Sequence, residues 1–198
     1  MSSLSRASMV RSAASLIRSR GVSATSLSDV LADSGAPRGS IYHHFPDGKR
    51  QLAEDAIHWT SERVLARLGA AAPTSASDVL ERFIDIWRQV VVTSGGSAGC
   101  VVAGVAIDSV AGETDLMEVV RATFRSWAAV LAEQLEAVGL PVDRAMPIAV
   151  ATLAGMEGAL ILCRAERSVR PLEVVAEELM RLLPPDGPGR RKRPVHSS

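Results

Sequence analysis

The sequence predicts an all-α protein of about nine helices, with a head of short helices followed by a body of longer ones. Two observations carry this reading. Apolar residues recur at three- and four-residue spacing almost throughout, and no run alternates as a half-buried strand would. Gly and Pro also fall where one periodic stretch ends and the next begins.

The elements follow in order. Met9, Ala13, Leu16 and Ile17 form one face of a first helix from about Ser5 to Arg20, stopped by Gly21. A short second helix starts near Leu27, where Ser26 can cap and Asp29 completes a capping-box pattern. Val30 and Leu31 are its buried residues, and Gly35 ends it in a left-handed turn. Pro37 opens a third helix reaching about His44. Phe45-Pro46 breaks the chain, Asp47 can cap, and a longer helix runs from Gly48 towards Leu68. After an Ala/Pro/Ser linker, Ser77 caps a helix with Leu80, Phe83, Ile84, Trp87 and Val91 on one stripe. Cys100–Val110 is a short apolar segment, a buried helix or, by pattern alone, a buried strand. Thr114 starts a long helix ended by Gly139, Asp143 starts another reaching Arg167, and Pro171 opens a last one stopped by Pro184. The tail 185–198 is Pro/Gly-rich, then basic, and reads as disordered.

Composition bounds the function. At 198 residues and 47% hydrophobic, the chain is too apolar for a disordered protein, and no uninterrupted run reaches the ~18 apolar residues of a spanning helix. Two cysteines make no disulfide framework, so a reducing cytoplasmic setting is the expectation. The Arg- and Ser-rich opening also has the composition of a transit peptide, but it continues directly into a compact motif that needs it as a floor. The formal net charge of zero hides an uneven distribution. Residues 1–68 carry nine basic and six acidic groups, 69–189 nine and sixteen, and 190–198 four basic and no acidic. A basic head on an acidic body suits a nucleic-acid partner.

The motif agrees. Two short helices joined by a Gly-containing turn describe a helix-turn-helix, whose second helix enters the major groove. Its face of Arg38, Gly39, Ser40, Tyr42 and His43 is polar and free of acids, while Ile41 and Phe45 supply packing. Gly39 removes a side chain where a groove wall would approach, and Lys49 at the next helix start suits a phosphate. His43 and His44 are adjacent rather than four apart, so no metal pair is predicted. Gly95, Gly96 and Gly99 lack the flanks of a phosphate loop. With no nucleophile–base pairing and no cofactor motif, the chain reads as a non-enzyme without a cofactor.

These residues, from Gly21-Val22 through Thr25-Ser26-Leu27-Ser28-Asp29-Val30 and Ser34-Gly35 to Gly39-Ser40-Ile41-Tyr42-His43-His44-Phe45-Pro46, Lys49 and Leu52, resemble the TetR family of bacterial transcriptional regulators. The reading Pro37-x-Gly-Ser-Ile-Tyr-His-His-Phe-Pro-x-Gly-Lys is most similar to the LmrA/YxaF-type branch. Pro37 departs from the Ser or Thr many relatives carry there, so a side-chain phosphate contact from that position is lost.

The resemblance implies a homodimer with a DNA-binding head over residues 1–50 and a ligand-binding and dimerisation body over 51–184, beginning in the connecting helix. By matching position, Arg38, Ser40 and His43 are the expected base readers, with Gly39 on the same face. Thr25, Tyr42 and Lys49 are the expected phosphate contacts. Phe83, Trp87, Cys100, Phe124, Trp127, Met156 and Glu157 are candidates for a ligand pocket, with plain core packing, or an Arg ion pair for Glu157, as the alternative. Ala151, Ala154, Gly155, Gly158 and Leu179 are expected at the dimer interface. The function implied is a repressor released from a palindromic double-stranded operator by a small hydrophobic ligand. The alternatives are an activator of the same architecture, or a ligand-binding or redox-sensing module with vestigial DNA binding.

Overall fold

The computed structural model describes residues 2–108 and 114–184. Among them the chain folds as nine helices and no strand. These are α1 (Ser2–Arg20), α2 (Leu27–Ser34), α3 (Ser40–His44), α4 (Gly48–Leu68), α5 (Ala76–Ser94), α6 (Val101–Asp108), α7 (Thr114–Ala137), α8 (Val142–Glu166) and α9 (Arg170–Arg181). The segment opening at Cys100 is thus helical, at least through Asp108. Its last two residues and the basic tail 185–198 lie outside the described residues.

The head is built on α1, which packs against α2, α3 and α4. Met9, Ala13 and Ile17 are buried together with Val30, Ile41, Phe45 and Leu52. The capping box forms as the sequence predicts: Asp29 N–H donates to Ser26 Oγ, and Ser26 N–H donates to the Asp29 carboxylate. That pairing holds Asp29 well below the usual carboxylate range, Ser26 being its main partner and Arg20 a lesser one. Gly35 closes α2 at φ 66°, a left-handed conformation that favours glycine.

The connecting helix α4 joins the layers, burying Ala56, Ile57, Val64 and Leu68 and packing on α1, α5, α6 and α7. At the body's centre, Trp127 of α7 donates its indole N–H to Ser61 of α4 at 3.1 Å, and Gln134 donates to the Leu68 carbonyl at 2.9 Å. Arg88 of α5 grips Glu173 of α9 through two guanidinium nitrogens, at 2.7 and 3.1 Å. By length and composition α8 is apolar enough to cross a membrane, contrary to the sequence reading. Its packing against α5, α7 and α9 buries one side of it, while Val142, Met146, Val150 and Ile161 stay exposed on the other.

Several local expectations need correction. Pro37 does not open α3: it begins a turn closed by the Ser40 N–H on its carbonyl, and the helix proper starts at Ser40. Asp47 makes no side-chain cap; its carboxylate pairs with Arg50 instead. The cap of α5 is Ser75, whose Oγ accepts from Asp78 N–H, rather than Ser77. Two residues expected at a dimer interface are spent within the subunit. A side chain on Gly155 would meet Val175 at 3.2 Å and Leu179 at 3.4 Å, so this glycine lets α9 lie close on α8, and Leu179 is buried in that seam. Ala151 is half-buried against the same core. Ala154 and Gly158 remain on the open side of α8.

Candidate nucleic-acid interface and its joint to the body

The reading face is made by anchoring one side of a very short helix. Ile41 and Phe45 are 1% and 0% exposed, which leaves Arg38, Gly39, Tyr42 and His43 directed to solvent. Tyr42 is 70% exposed, so it does not pack the helical corner. Gly39 sits at φ −74°, open to any residue, and a side chain there would meet nothing within 4 Å. Nothing inside the subunit requires glycine at this position. Ser40 is half-buried, with its hydroxyl donating to the Pro37 carbonyl at 2.6 Å.

Of the expected phosphate contacts, Lys49 lies in the first turn of α4 and reaches the Ser23 carbonyl at 3.0 Å. Thr25 must be corrected. It is buried, its hydroxyl donates to the Gly21 carbonyl at 2.7 Å, and its N–H donates to Val22. Both donors are therefore engaged within the α1–α2 turn rather than presented to solvent.

That turn is also where head meets body. Ser23 N–H donates to the Asp108 carboxylate at 2.8 Å, and its hydroxyl to the Asp108 carbonyl at 3.3 Å. At the other end of α6, Gly99 N–H donates to the Arg18 carbonyl at 2.8 Å. The last turn of α1 and the turn after it are thus held at both ends of α6. Gly21, at φ 86°, has no room for a side chain because the Asp108 carboxylate fills that space.

The candidate pocket residues divide. Phe83, Trp127 and Met156 are fully buried and, with the half-buried Phe124, border neither of the two larger cavities. They form core, with Phe83–Trp87, Trp87–Trp127 and Phe124–Trp127 ring centroids 6.0, 5.8 and 5.8 Å apart in tilted or edge-on pairs. Trp87 also borders a cleft of about 390 Å³ between α1, α4, α5 and the start of α6. Cys100 and Glu157 line a second cavity, of about 220 Å³, between α1, α6 and α8. Glu157 has no Arg partner among the described residues, and its Oε1 is buried without a hydrogen bond. Burial pushes its pKa up to about 7, against a smaller opposing effect of the Cys100 thiol. Burial, then the Glu157 charge, push the Cys100 thiol well up, the opposite of a reactive thiolate.

Comparison with known proteins agrees with this geometry. Residues 10–56 match the family described as bacterial regulatory proteins, tetR family. Residues 76–178 match the C-terminal domain of LmrA/YxaF-like transcriptional regulators. The chain is 38% identical over 193 residues to the uncharacterized HTH-type transcriptional regulator Rv0196 of Mycobacterium tuberculosis, covering 94% of this chain and 98% of that one. This chain belongs to the TetR family. Its fold is that of a TetR regulator from Legionella pneumophila, with TM-score 0.81 at 22% identity over 89% of this chain and 96% of the other. The fold also matches the TetR family regulator CifR, solved with 26-base-pair operator DNA, at TM-score 0.71 and 16% identity over 90% and 96% of the two chains. As a TetR-family protein it is a helix-turn-helix transcriptional regulator.

One feature was missed by sequence reasoning: the larger cleft carries Arg11, Arg18, Arg63 and Arg67 together with Trp59. Its signal was the spacing Trp59, Arg63, Arg67 on one helix face and Arg11, Arg18 two turns apart on another.

Proposed function

We propose that this regulator is a cytoplasmic homodimeric repressor that leaves a palindromic operator when a small ligand occupies its body. The DNA-reading residues are Arg38, Gly39, Ser40, Tyr42 and His43, with Lys49 on a phosphate. The observation that carries the reading is the joint: Arg18 in the last turn of α1 accepts from Gly99 just before the body helix α6, and Ser23 in the turn after α1 donates to Asp108 at the end of α6. A body conformation preferred by a ligand is thereby transmitted to the head rather than absorbed by a loop.

Dimerisation is supported by the open side of α8 and α9. Val142, Met146, Val150 and Ile161 with Val174 of α9 are exposed apolar residues, and Ala154 and Gly158 lie between them, where a second copy can come close. Two heads at fixed separation then bind half-sites about one helical turn apart far more tightly than either alone.

The test is fluorescence anisotropy with DNA flanking the protein's own gene. Gly39→Ala is expected to leave folding stability within about 0.5 kcal/mol, because its side chain meets open space. It should lower operator affinity at least about tenfold, because that space faces the groove. Lys49→Ala should weaken all sequences alike and reduce the salt slope by about 1 per lost contact. Unchanged affinity and salt slope in both variants would overturn the interface.

A further inference from the structure

The cleft between α1, α4 and α5 is unlike the rest of the surface in its charge. Four arginines border it: Arg11 and Arg18 from α1, Arg63 and Arg67 from α4. No carboxylate lies on its wall. Among the described residues none of the four makes an ion pair, so no carboxylate among those residues offsets the charge the arginines bring together. Arg18 is half-buried, and burial lowers its pKa, the mark of a cation taken partly out of water without a partner. Between the charges lie two indoles. The Arg63 guanidinium stacks 4.8 Å from the Trp59 ring, and Trp87 contributes a buried indole N–H with no hydrogen-bond partner.

A solvated basic face would need neither the indoles nor the concavity. A polyanion such as DNA would need a long charged track rather than a single concavity of about 390 Å³, which is the size of small-molecule sites. We infer that this cleft binds a small amphipathic organic anion, its carboxylate between the guanidiniums and its apolar body against Trp59 and Trp87. Guanidinium forks suit a carboxylate geometrically, and the half-buried Trp59 ring with the edge of Trp87 supplies apolar area. The site deepens the ligand-release reading, on which only its regulatory consequence rests. Gly99, on the cleft wall, donates its N–H to the carbonyl of Arg18, so an anion drawing Arg18 into the cleft acts on the residue that joins head to body.

The experiment uses the full chain without DNA and follows tryptophan fluorescence and calorimetry with 1-naphthoate and octanoate, each against its neutral primary amide. Each acid is expected to bind at least about tenfold more tightly than its amide, a preference that shrinks as salt is raised. In Arg18→Gln/Arg63→Gln the preference should collapse to under about threefold, while Arg125→Gln, away from the cleft, should keep it. If the double variant does not fold, Arg67→Gln and Arg11→Gln, both exposed, serve in its place. Equal affinity for acid and amide, or a preference surviving the cleft variants, overturns the site. So does a hexaglutamate peptide binding more tightly than either acid, which would make the cleft a protein-docking surface. The same acids are then added to the protein–operator complex. Binding without release leaves the anion site standing and defeats the release reading, whereas release by ligands that bypass these arginines does the reverse.

Discussion

Glu157 makes the stability of this protein depend on pH in a direction opposite to that of most carboxylates. Its Oε1 is enclosed without a partner, and burial pushes its pKa from the ordinary 4.5 to about 7. The folded state therefore holds a proton that the unfolded chain has released between those two values. Stability falls as pH rises through that window, at up to about 1.4 kcal/mol per pH unit. Below about pH 4.5 both states are protonated and nothing is lost; above about pH 7 the whole difference, about 3 kcal/mol, is present. Glu157→Gln keeps the shape and removes the charge. The variant should exceed the parent's stability by under about 1 kcal/mol at pH 5 and by up to about 3 kcal/mol at pH 8. Urea denaturation of both proteins at pH 5, 6, 7 and 8 and one fixed concentration measures this, because every other titrating group is common to the pair and cancels. Parallel pH profiles for the two would refute the reasoning and show that Glu157 is solvated or paired.

Three further outcomes follow from the geometry. Gly21→Ala forces a left-handed residue to carry a side chain and displaces the Asp108 carboxylate from Ser23, for a loss of about 2–4 kcal/mol in urea denaturation. In an Asp108→Ala background only the backbone part, about 1–2 kcal/mol, should remain. Ser61→Ala leaves the buried Trp127 indole N–H without its acceptor and should cost about 1–3 kcal/mol by the same assay, with no change in DNA affinity. Val150→Asp, on the open face of α8, should give a monomer by light scattering at concentrations where the parent is a dimer, and a monomeric variant that still binds the operator as tightly would contradict the two-headed mechanism.

The helices were legible because their ends are chemical. Ser26 with Asp29, Gly35 and Gly139 satisfy or release backbone groups locally, so neighbours in sequence suffice to place them. The miss at α5 is instructive: Ser75 and Asp78 repeat the spacing of Ser26 and Asp29, and the pattern itself marked the cap. The exposed face of α3 was legible for the same reason, since Ile41 and Phe45 recur four apart and leave their neighbours outside. The pocket was not. A stripe such as Phe83 and Trp87 says that a face is buried but not whether protein or space lies against it, and here it is mostly Trp127. Likewise, Gly155 marked a close approach correctly, but the approaching helix is α9 of the same subunit. The cleft joins residues about fifty positions apart on α1 and α4, each an unremarkable surface arginine until the helices are side by side.

The size of the joint sets how strongly ligand and operator can oppose each other. Head and body are tied at α6 by three hydrogen bonds: Gly99 to Arg18, and two from Ser23 to Asp108. At about 1 kcal/mol each they amount to about 3 kcal/mol, which is also the upper end of typical allosteric coupling. A weaker joint would let the body move without the head, and a much stronger one would never exchange. A coupling of this size converts to roughly a hundredfold change in operator affinity. Linkage requires the same factor in reverse, so operator DNA should weaken ligand binding by that amount. Asp108→Ala removes the carboxylate bond to Ser23, one of the three, while leaving the exposed face of α3 and the arginine cleft intact. It should therefore preserve both individual affinities and shrink the roughly hundredfold mutual antagonism about fivefold, a separation that an inducer acting by direct competition at the DNA surface could not produce.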